Sequence, residues 1–156
     1  MNKAIKLISV AALIVTPFVN AAEATNKMDI SASIDKECYI ENVEDMNFGT
    51  YSFEKDSEAS ASFSIRCNQT LEGVVAIDLG MHSADGVRQL KGPELLAYNL
   101  YTAGFDSLWD NAKNKQTLKL AGGLEGNKIT VAGRIPKAQY KEAGAYNDTV
   151  TIAVEY

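Results

Sequence analysis

The chain has 156 residues, 46% of them apolar and 22% charged. That suits one packed domain and is too apolar for disorder. A formal charge of −5 argues against a nucleic-acid binder, which needs clustered Lys and Arg, and one His with two Cys leaves little material for a zinc site.

In chain order, Lys3 and Lys6 precede a short apolar run at residues 7–15, and Thr16-Pro17 then breaks it before small residues follow. The run is too short to span a bilayer as a helix. A basic start, a short apolar centre and a small-residue exit form the pattern of a secretory signal peptide over residues 1–21. Cleavage is expected after Ala21 or Ala24; the alternative is a buried N-terminal helix. Loss of Lys3 and Lys6 takes the 15 basic residues to 13 against 20 acidic ones, a charge of −7. Export would place Cys38 and Cys67 in an oxidising compartment. One intramolecular bridge is then possible, worth ~3–4 kcal/mol of loop entropy. The alternatives are an intermolecular bond or two free thiols.

Period-two alternation dominates beyond residue 25. Met28, Ile30, Ala32 and Ile34 alternate with polar residues, predicting a half-buried strand. Ala61, Phe63, Ile65 and Cys67 form a second such run, and Val75, Ile77 and Leu79 a third. Residues 95–101 are more continuously apolar, which predicts a strand covered on both faces. Shorter candidates lie at 117–120 and 128–135. Val150, Ile152, Val154 and Tyr156 make a terminal strand. Gly- and Asp-containing turns, such as Ser83-Ala84-Asp85-Gly86 and Gly126-Asn127, separate the runs. Residues 137–142 could form one helical turn. Many short strands between such turns predict an all-β, immunoglobulin-like sandwich. Its first and last strand candidates are apolar-faced and well suited to pairing with another chain, or are simply the outer strands of a complete sandwich.

No catalytic set emerges. His82, with Asp78 and Asp85 near it in sequence, reads as an exposed turn residue, and no G-x-S-x-G elbow is present. Glu41, Glu44 and Asp45 lack the ligand spacing of a calcium loop and read as a solvated loop. Residues 122–127 have glycines without the Lys-Ser/Thr of a phosphate loop. Asn68-Gln69-Thr70 and Asn147-Asp148-Thr149 match the short, often fortuitous, glycosylation pattern. No enzyme, cofactor, metal, small-molecule substrate or nucleic-acid partner is expected.

Three groups of landmarks are more specific. The first is Cys38, Asn47-Phe48-Gly49-Thr50-Tyr51 and Phe63-Ser64-Ile65-Arg66-Cys67. The second is Leu95-Leu96-Ala97-Tyr98-Asn99-Leu100-Tyr101-Thr102 with Leu108-Trp109. The third is Gly133-Arg134-Ile135-Pro136, Gln139, Ala143-Gly144-Ala145-Tyr146-Asn147-Asp148-Thr149-Val150 and Tyr156. In this order they resemble the spore coat protein U family, which includes pilins of the archaic chaperone–usher pathway. Ala132, Ala103 and Asp110-Asn111-Ala112 depart from the family pattern and blur the subunit type more than the fold.

The resemblance implies an incomplete immunoglobulin-like β-sandwich (pilin fold) over residues 37–156, one strand short, with an N-terminal donor-strand extension at residues 22–36. It implies a Cys38–Cys67 bridge between the first two strands. Met28, Ile30, Ala32 and Ile34 would fill the groove of a neighbouring subunit by β-strand addition. Val150, Ile152, Val154 and Tyr156 would border the chain's own groove, facing inward. The implied partners are a periplasmic pilus chaperone, an outer-membrane usher and neighbouring pilins. The implied location is the cell surface, in a pilus supporting adhesion and biofilm. One domain with a donor extension suggests a shaft or minor subunit rather than a tip adhesin. The alternatives are a secreted coat or matrix protein assembling without an usher, and a secreted carbohydrate-binding module.

Overall fold

A computed structural model describes residues 22–156, so the expected signal peptide, residues 1–21, lies outside the described residues. The backbone divides into two units, the first ending at Ser33 and the second covering Ile34–Tyr156. In the first, residues 22–33 form neither strand nor helix and every one is exposed. The strand predicted at residues 28–34 is therefore not formed. Alternation marks which side chains a pairing would bury, but a strand exists only through a ladder with a neighbour.

The second unit is all-β. Its strands are β1 (Cys38–Glu41), β2 (Ser57–Cys67), β3 (Leu71–Ile77), β4 (Arg88–Lys91), β5 (Leu95–Thr102), β6 (Gln116–Leu120), β7 (Asn127–Ile135) and β8 (Ile152–Glu155). They form two antiparallel sheets, one in the order β1-β2-β7-β5-β4 and one in the order β6-β3-β8. The two sheets make a sandwich.

Alternation decides which face of each strand is buried. Phe63, Ile65 and Cys67 of β2, Val131 and Ile135 of β7, and Leu96, Tyr98 and Leu100 of β5 are buried in the core with Val75 and Ile77 of β3 and Leu120 of β6. Strand β5 thus buries one face only; Leu95 is 37% exposed and Ala97 and Asn99 are half-buried, because no third layer covers the outer side of the sheet. Gly73 lets Leu120 and Val154 close over β3, since a Cβ there would meet Leu120 Cδ1 at 2.7 Å. Residues 137–142 form no helical turn: Ala138 is left-handed (φ 64°), and the Gln139 amide is anchored to both main-chain groups of Ala97. Asp85 and Gly86 both take positive φ in the tight Ala84–Val87 connection, as the turn chemistry predicts.

Three ties fix the interior. Cys38 and Cys67, opposite each other on β1 and β2, form a disulfide. Trp109 is 2% exposed, packs beside Phe63 and donates its indole N–H to the Val75 carbonyl at 3.0 Å. Arg88, also 2% exposed, donates to three carbonyls: Nε to Asp78 at 2.9 Å, and Nη2 to Ile77 at 2.8 Å and Trp109 at 2.7 Å. Burial lowers its pKa, although Tyr98 and the carboxylates of Asp110, Asp78 and Asp148 act against that. Loss of this cation leaves three buried acceptors unsatisfied. Arg88→Met is therefore expected to lower unfolding free energy by about 1–3 kcal/mol for each buried acceptor left unpaired, read as a fall in urea midpoint. An unchanged midpoint would contradict this role.

Three carboxylates, Asp78, Asp110 and Glu44, have lowered pKa values. Burial raises the pKa of Asp78, but hydrogen bonds from the Thr151 and Gly80 amides and the charge of Arg88 outweigh it, leaving a net lowering. Asp110 is likewise lowered: its burial is outweighed by donors from Asn114, Ala112 and Lys113. A carboxylate lowered in the folded state stabilises above its unfolded pKa, and that contribution disappears as pH falls through the folded value. The urea midpoint is thus expected to hold down to about pH 5 and then fall below about pH 4. Asp78→Asn should flatten that fall. A midpoint that rises on acidification would exclude this linkage.

Candidate functional site

Strand β8 pairs with β3 through Val74↔Glu155 to Ile77↔Ile152 and is the outermost strand of its sheet. Among the described residues its other edge has no ladder. The pairing is prolonged toward the start of β8 by amides of Asp78 and Met81, which donate to the carbonyls of Thr151 and Thr149. Val150, Ile152 and Val154 point inward and pack against the core, whereas Tyr156 is 49% exposed and lies outside it.

Residues 42–56, between β1 and β2, lie along the five-stranded sheet, with contacts to β2, β7 and the residues after β7. Asn42 takes a left-handed φ of 52°, and the chain stays tied to β2 where the Glu44 amide donates to the Ser62 carbonyl at 2.9 Å. Glu44 Oε2 accepts from the Ser62 hydroxyl at 2.7 Å and its amide at 3.0 Å, and these bonds lower the Glu44 pKa. Further on, Met46 and Phe48 lie against Gly133 of β7, in the space any Cβ would take. The segment ends where Tyr51 donates its hydroxyl to the Pro136 carbonyl at 3.0 Å and accepts from the Gln139 amide at 3.0 Å. Gly133, Pro136 and Gln139 thus share one task, seating this segment.

Between the segment and the start of β8 runs a groove of about 1560 Å³. Pockets for small molecules are typically about 300–1,000 Å³. Phe63, Ile77, Leu96, Leu100, Val131 and Ile135 form its floor, each at most 5% exposed, and half-buried Met46, Phe48, Leu90, Tyr146, Val150 and Ile152 form its sides. Interiors seldom leave such space beside apolar side chains, so it is suited to an apolar segment supplied from outside the domain.

One end of the groove is polar. Asp148, with its side chain 1% exposed, accepts from Tyr98 Oη at 2.7 Å, pairs with His82 Nδ1 at 2.9 Å and takes the Met81 amide at 3.1 Å. Burial, and then the bond to Asp148, push the Tyr98 hydroxyl well above the ordinary tyrosine range. Gly80 is required beside it, because a Cβ there would strike the Asp148 carboxylate and φ is +83°. His82 does lie in a turn, but its partner is Asp148, 66 residues away, and not Asp78 or Asp85. The cluster ties the turn after β3 and Tyr98 of β5 to the chain just before β8.

The other sequence candidates do not converge. Glu41 pairs with Arg66, Glu44 is held by Ser62, and no described group of three His, Cys, Asp or Glu is arranged for a metal ion. The Asn68 side chain bonds Glu37 N and Asp35 O, and Asn147 exchanges main-chain bonds with Lys91. Met28 and Ile30 of the first unit are 83% and 88% exposed, and Ile34 at the start of the second is 90% exposed.

Comparisons with known proteins agree with this architecture. Protein U of Myxococcus xanthus is 25% identical over 166 aligned residues, covering 94% of this chain and 92% of its own. A similar fold occurs in a chain from the CsuC–CsuE chaperone–tip adhesion subunit pre-assembly complex of the archaic chaperone–usher Csu pili of Acinetobacter baumannii. Its TM-score is 0.60 at 23% identity, over 78% of the present chain, which spans only 40% of that longer one. The model of the Spore Coat Protein U domain matches residues 24–153, which take in β1 to β7 and the start of β8. The chain therefore belongs to the Spore Coat Protein U domain family.

Proposed function

We propose that the protein is a structural subunit of a chaperone–usher surface pilus, polymerising by donor-strand exchange and supporting adhesion and biofilm formation. One observation carries this: a sandwich with an apolar groove beside an unladdered terminal strand occurs in a chain whose N-terminal residues hold exposed apolar side chains at strand spacing. A strand added at the outer edge of β8 would satisfy its main-chain groups, and alternate side chains would enter the groove. Met28, Ile30 and Ile34 would each contribute about 1.5–3 kcal/mol on burial, less the cost of ordering the segment. Ala32 would occupy the shallowest position.

In this account residues 1–21 direct export. A periplasmic chaperone lends the strand first, and at the outer-membrane usher the extension of the next subunit, residues 22–36, replaces it. The contact is heterologous, so it produces filaments rather than closed rings. The subunit's work is mechanical, with no catalytic step or cofactor. A second reading, a coat or matrix protein assembling without an usher, draws on the match to the Spore Coat Protein U domain.

Placing a copy of residues 25–36 after Tyr156 through a flexible linker is expected to turn an aggregating or polymerising mature chain into a stable monomer. Size-exclusion chromatography with light scattering reads the outcome. If the unmodified mature chain is already a stable monomer that never polymerises, the proposal fails. Requirement for an usher separates the two readings: surface fibres formed without one favour the second.

A further inference from the structure

The chain enters the sandwich beside a single asparagine. Strands β1 and β2 pair antiparallel with Cys38 opposite Cys67, so a longer ladder would set Glu37 opposite Asn68 and Asp35 opposite Thr70. Strand β2 ends at Cys67, however, and the chain turns toward β3. The Asn68 amide still donates to the Glu37 carbonyl at 3.0 Å. The next two ladder bonds are made by its side chain: Oδ1 accepts from the Glu37 amide at 3.2 Å, and Nδ2 donates to the Asp35 carbonyl at 2.6 Å. One carboxamide, with an acceptor and a donor of its own, thus replaces the Asn68 carbonyl and the Thr70 amide that a continuing strand would present.

The turn that carries Asn68 is itself held by the loop after β6. Gly122 donates its amide to Thr70 Oγ1 at 3.0 Å and lies so close to the Gln69 backbone that a Cβ would not fit. Gly123 donates to the Cys67 carbonyl at 3.0 Å. Asn68-Gln69-Thr70, which matches the glycosylation pattern, therefore has a structural use at both of its ends. Asn68, Asp35 and Glu37 are all exposed, and the adjacent disulfide independently pins β1 to β2, so the core does not depend on these bonds. The Tyr39 hydroxyl also donates to Glu37 Oε2, a local contact along the same strand. The second unit begins one residue before Asp35, at Ile34.

We infer that Asn68 is the positioning residue of the joint between successive subunits: it clasps residues 35–37 to the sandwich, so that a donated strand ending at Ile34 is followed directly by fixed chain. This rests on the strand-donation reading above and adds what limits the motion of one subunit against the next. With the clasp closed, that motion is confined to the backbone bonds at Ile34 and Asp35. With it open, residues 35 and 36 join the link while the main-chain bond to Glu37 remains, and the link lengthens by about 7 Å. Exposed polar chain of that kind is flexible, so the clasp decides whether the joint is short or slack.

The test uses the mature full-length chain, unassembled and as fibres. In the unassembled chain the Glu37 amide should be protected from hydrogen exchange, and Asn68→Ala should speed its exchange roughly tenfold with little change in urea midpoint. Asn68→Asp, which keeps the acceptor but loses the donor, should fall between the two. In electron micrographs the persistence length of Asn68→Ala fibres should drop about twofold or more. Inserting two glycines between Ile34 and Asp35 should soften the fibres to the same degree while the Glu37 amide stays protected. A wild-type Glu37 amide that exchanges as fast as those of residues 28–34, or wild-type stiffness in both altered fibres, overturns the inference and leaves strand donation intact. A wild-type chain that forms no fibres removes both.

Discussion

Everything distinctive about this molecule depends on the outer edge of β8. A strand at the border of a sheet leaves a row of main-chain donors and acceptors without partners, and proteins usually cover or blunt such edges. Here the edge follows an apolar face, and the space beside it is open instead of packed. Trp109, bonded to Val75 of β3 and Leu100 of β5, and Arg88 of β4, bonded to Ile77 of β3, tie the two sheets together, while the disulfide joins β1 to β2 within the five-stranded sheet.

The polar ties make sense in those terms. Asp78 and Asp148, reaching Thr151, Met81, His82 and Tyr98, fix the chain just before β8. Glu44, Tyr51 and Gln139 fix the opposite side by bonding to Ser62 and Pro136. The groove thus has two anchored walls that differ in kind: a strand with a vacant edge and an irregular segment laid across β7. An incoming strand needs such preorganisation, since ordering its own backbone is already costly.

Period two in the sequence located β2, β3 and β8 to within a few residues, because each buries alternate apolar side chains, whereas β5 showed as a more continuous apolar run and β6 and β7 as shorter candidates. Strand β4 escaped, since its inward residue is Arg88, a charge made acceptable by carbonyls from Ile77, Asp78 and Trp109 that no local pattern displays. Strand β1 is four residues long and half-buried, too short for alternation to stand out. The pairing of His82 with Asp148 joins residues far apart in sequence, and nothing near His82 announces it. At residues 28–34 the pattern was plain, yet no strand forms there. Alternation records a face made for burial, and that face is not buried within this chain.

Hydrogen exchange is the most direct test of the central claim, that the exposed N-terminal residues complete the sandwich of another copy. In unassembled mature chain the amides of residues 28–34 should exchange at the rate of an unstructured peptide. In assembled fibres they should be protected, together with the outer-edge amides of β8, as strongly as amides in the centre of β2. Fibres in which residues 28–34 still exchange freely would contradict the account.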